Sequence, residues 1–223
     1  MLRKTLKRQV TSLFWPNYSP KIDRINRLPL FLDFMEKSNP EKILKSKYEL
    51  HAWMSNYVNK LTSIAYLEFG VASGKSMKIW VSENKNPESN FLGFDSFEGL
   101  PEDWQEGFPK GTFSSNGTPP NITDPRLEFV IGWFQNTLPD KIKSINRQKK
   151  IIIHHDADLY SSTMYCLVQS NDLLKVGDVV IFDDFANLLH VNRAFHDYLN
   201  SFQRNFRLIC STPELTTVAF EVV

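Results

Sequence analysis

Runs of apolar, often β-branched residues recur from Ser63 onward, at Ser63–Phe69, Asn90–Asp95, Leu127–Gly132, Lys150–His155, Val179–Asp183, Phe206–Cys210 and Thr217–Val222, and each reads as a strand. Between most of them the apolar residues fall at helical spacing instead. Lys75–Ser82, Phe134–Ser144 with Pro139 inside it, Ser161–Leu174 and Val191–Phe202 are the predicted helices, and Gly177 stops the third of them before the next strand. Strands alternating with helices predict an α/β fold: a doubly wound, mostly parallel, seven-stranded sheet with right-handed crossovers. The last two strands have no helix between them. They are expected to pair as a C-terminal antiparallel hairpin.

Two helical patterns precede the first strand. They run over Leu28–Lys37 and Pro40–Lys60, with Pro40 suited to the first turn of the second, and are expected to pack on the sheet or to lid its crevice. A long loop, Gly99–Arg126, is rich in Gly and Pro. In a compact domain such a loop is either functional or disordered. The expected organisation is a basic arm over 1–27 and one domain over 28–223, with N-terminal helices at 28–60 and the alternating core at 63–223.

The chemistry gathers at strand ends. Ile151-Ile152-Ile153 runs into His154-His155-Asp156-Ala157-Asp158, and Val179-Val180-Ile181-Phe182 runs into Asp183-Asp184. In an open α/β sheet, ligands bind at the carboxyl ends of the strands. If the two strands are neighbours, up to four carboxylates converge and need a proton or a cation, and an all-oxygen set suits Mg²⁺ or a similar divalent ion. Of the two strand histidines, one should point into the crevice and one into the flank. His190, in the loop nearest the acids, is the candidate for proton transfer.

The first strand turns through Glu68-Phe69-Gly70-Val71-Ala72-Ser73-Gly74-Lys75-Ser76, with glycines where the backbone can approach a ligand and a helix N-terminus opens. The turn is one residue short of a P-loop. The dinucleotide fingerprint fails because Ala72 stands where its second glycine is needed. Asp95, ending the second strand, sits where an acid can accept ribose hydroxyls. Asp156-Ala157-Asp158 is also a D-x-D, which leaves open a nucleotide-sugar glycosyltransferase, beside a phosphotransferase using Gly70–Ser76 and a non-catalytic nucleoside-binding protein.

Composition narrows this little. With 26 Lys+Arg against 25 Asp+Glu the net charge is +1, so no overall field argues for nucleic acid. Seven basic residues (Arg3, Lys4, Lys7, Arg8, Lys21, Arg24, Arg27) against Asp23 alone make the N-terminal arm basic. Cys166 and Cys210 lack metal or redox spacing and read as core thiols of a reducing compartment. Val10–Trp15 is too short and too polar for a signal core, and no run approaches a membrane span, so the expected location is cytoplasmic. A homo-oligomer stays open.

Five blocks in order resemble the macrocin O-methyltransferase (TylF-type) family: Tyr66–Val71, Gly93–Pro101 with its Asp-Ser-Phe-Glu-Gly-Leu-Pro string, Gly132–Phe134 with Thr137–Pro139, Asp156–Thr163, and Gly177–Phe185. The resemblance covers Ser63–Phe202. It implies a Rossmann-like class I methyltransferase that uses S-adenosylmethionine and Mg²⁺ on a hydroxyl of a saccharide or glycosylated metabolite. By position, Glu68, Phe69, Gly70, Ser73, Gly74 and Ser76 would form the methionine end of the cofactor site. Asp95 would hold the ribose, and Ser96, Phe97, Gly132 and Trp133 would lie by the adenosine. Asp158, Asp183 and Asp184 would be the metal ligands, with Asp156 on the cofactor side, and Asp158 or His190 would take the acceptor's proton. Ala157, Ser161 and Phe185 depart from the family's Gly, Glu and Tyr. The acids survive these changes, whereas the acceptor pocket carries no matched motif.

Overall fold

A computed structural model of the chain describes residues 20–223; residues 1–19, with four of the arm's basic residues, lie outside the described residues. In chain order the elements are α1 (Pro20–Lys37), β1 (Lys42–Ile43), α2 (Lys47–Tyr57), β2 (Ile64–Phe69), α3 (Lys75–Glu83), β3 (Asn90–Asp95), β4 (Leu127–Ile131), α4 (Phe134–Lys141), β5 (Lys150–His155), α5 (Tyr160–Ser170), β6 (Val179–Phe182), α6 (Val191–Phe202), β7 (Phe206–Ser211) and β8 (Val218–Val222). Of the described residues, those up to Lys37 form one unit and Ser38–Val223 a second. Lys21, Arg24 and Arg27 of the basic arm lie in α1, where Arg27 pairs with Asp23 one turn away. Among the described residues no helix is long and apolar enough to cross a membrane.

The second unit is a mixed sheet in the order β1-β7-β8-β6-β5-β2-β3-β4. All pairings are parallel except those of β8, which runs antiparallel to both β6 and β7. The expected hairpin is therefore present, and its last strand inserts beside β6. The sheet has eight strands where the pattern predicts seven. The eighth, β1, was hidden in what reads as a helix from Pro40. Lys42 and Ile43 pair with Cys210 and Ser211 at the edge of β7, and the amides of Glu41 and Leu44 donate to the carbonyls of Ile209 and Ser211. The helix begins only after Ser46, whose hydroxyl accepts from the Glu49 amide while the Glu49 carboxylate accepts from the Lys45 amide. This reciprocal cap fixes where α2 starts.

β2 and β6 are buried along their whole length, and β5 is buried after Lys150, as expected of central strands covered on both faces. One face is filled by Leu50, Met54, Tyr66, Trp80, Phe91, Ile152 and Ile181. On the other, Phe182, Phe185, Phe195 and Phe220 pack with ring centroids 4.8–6.2 Å apart.

That coverage overturns the expected placement of one strand histidine in the crevice. His154 and His155 do point to opposite faces, but both are buried and neither enters the crevice. The His154 ring contacts His51 and its Nδ1 is 3.2 Å from the Tyr66 hydroxyl. His155 stacks on Phe182 at 5.0 Å, and neither of its ring nitrogens has a hydrogen-bond partner among the described residues. Burial, with His154 beside it, pushes its pKa down to about 3. The imidazole therefore stays neutral in the fold, and the stability this permits is present above the ordinary value near 6.5 and lost as pH falls from there toward 3. His155→Phe removes two buried unsatisfied nitrogens. It should stabilise the protein by about 1–3 kcal/mol at pH 7, with the gain growing toward pH 4, as thermal melts across that range would measure.

Candidate active site

Parallel register brings four strand ends level. Phe69 pairs with both Phe94 and His155, and His155 pairs with Phe182, so the residues just beyond β2, β3, β5 and β6 share one edge. The ladder continues one step into the loops: the amides of Gly70, Asp156 and Asp183 donate to the carbonyls of Phe94, Phe69 and His155 at 2.9–3.0 Å. Gly70 is required here. Its φ is +90°, and a Cβ on it would stand 1.9 Å from the Asp156 carbonyl oxygen.

Above this edge lies a cavity of about 440 Å³. Of the residues singled out in the sequence, Gly70, Asp95, Ser96, Gly132, Trp133, Asp156, Asp158, Asp183 and Asp184 line it. The others do not. Glu68, Phe69 and Ser76 are buried beneath the turn, where the Glu68 carboxylate accepts hydrogen bonds from the hydroxyls of Tyr66 and Ser76. Ser73 is exposed outside the cavity. Gly74, at φ +71°, lies against Pro120 and Ile122 of the long loop, so its missing side chain makes room for that loop rather than for the cavity. Phe97 is buried edge-on to Phe129, and its carbonyl accepts from the amides of Ser115 and Gly117, tying the loop down.

Asp95 braces the glycine turn. Its Oδ2 accepts from the amides of Val71 and Ala72 at 2.8 and 2.9 Å, and its Oδ1 accepts from Phe97 at 2.7 Å. Oδ1 thus keeps a lone pair for a hydroxyl in the cavity.

Among the described residues, Asp156, Asp158 and Asp184 place carboxylate oxygens within 4.8 Å of one another. Asp158 and Asp184 both hold left-handed backbone, with φ of +56° and +49°, which Asp tolerates better than most residues. Crowding shifts them all. Burial, then Asp156 and Asp184, pushes Asp158 up to about 8. Burial, then Asp183, raises Asp184, and the same causes hold Asp156 well above the carboxylate range. A divalent ion would relieve this repulsion with hard oxygen donors, so the residues present fit one.

Asp183, read in the sequence as a metal ligand, lies beside these acids but has both oxygens engaged by other partners. Its Oδ2 is paired with the ammonium of Lys47, and its Oδ1 accepts from the Thr217 hydroxyl at 2.7 Å. Burial works to raise its pKa, but Lys47 and Thr217 outweigh it and leave the carboxyl below its usual range. Asp156, expected on the cofactor side, takes the third place in the cluster, 3.6 Å from Lys47.

His190 is also placed differently from its reading as a proton-transfer group. It does not line the cavity; its Nδ1 accepts from the Tyr160 amide at 3.2 Å and its ring meets Trp104 edge-on. With Nδ1 accepting, the neutral ring carries its proton on Nε2 and cannot take another there.

Several cavity residues went unread in the sequence. Lys47 is one; its signal was a lysine directly after a capping serine, the end of a helix that disfavours cations. The long loop supplies Leu100, Trp104 and Phe113 to the wall, which Trp133 and Phe134 also line. Glu102 from this loop accepts from the Ser161 hydroxyl at 2.6 Å, closing the loop onto α5.

The comparisons agree with this architecture. Residues 112–209 match the family model of Macrocin-O-methyltransferase (TylF). Of the five sequence blocks, the last three fall inside that segment. An 8-demethyl-8-(2,3-dimethoxy-alpha-L-rhamnosyl)-tetracenomycin-C 4'-O-methyltransferase of Streptomyces olivaceus is 30% identical over 121 residues, 47% of this chain and 44% of that protein. The chain thus matches less than half the length of this curated relative. The O-methyltransferase NovP superposes with a TM-score of 0.63 at 22% identity over 78% of both chains, and the calicheamicin methyltransferase CalS11 with 0.62 at 22% identity over 96% of this chain and 90% of its own. Together these matches uphold the resemblance to the TylF-type family and establish the Rossmann-like methyltransferase fold.

Proposed function

We propose that this protein is an O-methyltransferase that uses S-adenosylmethionine and a divalent cation, Mg²⁺ or a relative, to methylate a hydroxyl of a sugar or glycosylated metabolite. The observation that carries the reading is the meeting, in one cavity, of the bare Gly70 turn, Asp95 and the carboxylate cluster at the carboxyl ends of β2, β3, β5 and β6. The tetracenomycin relative, named for a rhamnosyl substrate, and CalS11, named as a TDP-rhamnose 3'-O-methyltransferase, support a saccharide acceptor. The free, buried thiols of Cys166 and Cys210 support a cytoplasmic location.

S-adenosylmethionine, when bound, would supply a sulfonium methyl group for in-line displacement by the acceptor oxygen, with S-adenosylhomocysteine as the leaving thioether. A divalent cation, when bound at the cluster, would supply charge stabilisation to the acceptor oxygen. The protein's own residues do the rest. Gly70 lets the cofactor's methionine end lie against backbone, and the free lone pair of Asp95 takes a ribose hydroxyl. Trp133 and Phe134 offer flat apolar surface to the base. Asp158 and Asp184, with Asp156, would hold the cation, and Asp158 is the group we assign to the acceptor's proton.

Calorimetry against S-adenosylhomocysteine, ATP and a UDP-sugar tests this. Binding of S-adenosylhomocysteine alone is the expected result; tight UDP-sugar binding without it would overturn the proposal in favour of a D-x-D glycosyltransferase. In the same assay Asp95→Asn turns an NH₂ or a weaker oxygen toward the Val71 and Ala72 amides. Losing charge-assisted bonds of about 1.5–3 kcal/mol should weaken S-adenosylhomocysteine binding roughly ten- to hundredfold.

A further inference from the structure

Lys47 is the first residue of α2, where the partial positive charge of the helix terminus disfavours an ammonium. Its inward direction must come from elsewhere, and the acids supply it. Nζ pairs with Asp183 Oδ2 and lies 3.6 Å from Asp156 Oδ2, while Thr217 takes the other oxygen of Asp183. Both Asp183 oxygens are therefore engaged, whereas Asp156, Asp158 and Asp184 face one another across at most 4.8 Å. The same ion pair borders a second cleft of about 360 Å³, lined by Lys45, Ser46, Thr212, Glu214, Thr216 and Thr217. Released from Asp183, the ammonium could rest in that polar cleft against Glu214.

We propose that Lys47 is a tethered counter-ion of the cluster: it occupies Asp183 in the cation-free protein and competes with a divalent ion for that carboxylate. The proposal rests on the cation reading above and reconciles the two acid sets. The Asp156, Asp158 and Asp184 grouping belongs to the lysine-occupied state, and Asp183 becomes available as a ligand only when Lys47 swings out. The ammonium is paired with two of the four carboxylates, Asp156 and Asp183, so a divalent ion must displace a built-in positive charge to use Asp183.

The test is Mn²⁺ titration of the EDTA-stripped full chain by calorimetry, beside melts with and without Mn²⁺, for wild type, Lys47→Met and Lys47→Arg. Lys47→Met keeps the apolar stem and removes the charge. It should bind Mn²⁺ about tenfold more tightly, because a divalent ion no longer competes with an ammonium a few ångströms away for the same carboxylate. It should also melt lower than wild type without cation and gain more from Mn²⁺; a Lys47→Met protein that folds only with Mn²⁺ is the same result. Lys47→Arg should bind Mn²⁺ as wild type does. Unchanged or weaker binding by Lys47→Met, with wild-type binding intact, overturns the counter-ion role and leaves the cation reading standing. No Mn²⁺ binding by any of the three overturns both.

Discussion

Gly70→Ala is expected to lower the melting temperature by about 10 °C or more and to abolish S-adenosylhomocysteine binding. The added Cβ would lie 1.9 Å from the Asp156 carbonyl oxygen and 2.7 Å from its carbon, both backbone atoms of the neighbouring strand end that cannot rotate away. Backbone at φ +90° adds strain for any L side chain. Relief requires moving either the β2 turn or the β5 end, a cost of about 3–5 kcal/mol, typical of overpacking combined with backbone strain. Either movement disturbs the shared edge on which the cavity stands. Gly107→Ala is the control: its φ is +86°, but nothing lies within 4 Å of the point a Cβ would occupy, so it feels the strain without the clash and should cost about 1–2 kcal/mol. Equal melting temperatures for the two variants would show that close approach does not explain Gly70.

The sheet was legible because its central strands are covered on both faces. Ile151–Ile153 and Val179–Phe182 are continuous apolar runs for that reason, and no choice of face had to be made to read them. The chain's entry into the second unit was not legible. Lys42 and Ile43 are exposed and have no strand pattern of their own; they are extended because the edge of β7, far along the chain, offers unpaired backbone. Local spacing from Pro40 favours a helix, and a long-range ladder overrides it. Ser46 followed three residues later by Glu49 is the local signal of the true helix start, which the pattern from Pro40 overlooks.

The site divides in the same way. Gly70, Asp95 and the acids following β5 and β6 could be placed from strand order alone, because register puts strand ends level. Which acids face one another could not. Asp183 is drawn aside by Lys47, 136 residues away, and by Thr217, 34 residues away, neither of which carries a motif. His154 and His155 alternate as the strand pattern predicts, but both faces are covered, with His154 against His51 of α2 and His155 against Phe182. His190 is near the acids in sequence, yet the Tyr160 amide claims its acceptor nitrogen. A side chain's place in a motif fixes where its Cα goes. Its partners are set by elements that only the fold brings near.

Asp158→Asn should reduce methyl transfer about a thousandfold, the equivalent of the several kcal/mol that charge stabilisation at a cation contributes to a transition state, while S-adenosylhomocysteine affinity changes less than about threefold. Asn is the informative replacement because it tolerates the φ of +56° found here as well as Asp does, so lost charge is separated from backbone strain. The substitution also has a pH signature without any cation. Burial, with Asp156 and Asp184, raises the folded-state pKa of Asp158 to about 8, far above its ordinary value of 3.8. Between these values the folded chain holds a proton that the unfolded chain has released, so the stability tied to that proton is fully present below about pH 4 and is lost as pH rises through about 8. Wild type in EDTA should therefore lose melting temperature from pH 5 to pH 8 relative to Asp158→Asn, whose neutral amide does not titrate. A divalent ion that replaces the proton should raise the wild-type melting temperature more at pH 8 than at pH 5, and should raise that of the variant little at either. Parallel melting curves for the two proteins across this range would show that Asp158 is not held among the other carboxylates, and full turnover by the variant would take it out of the mechanism.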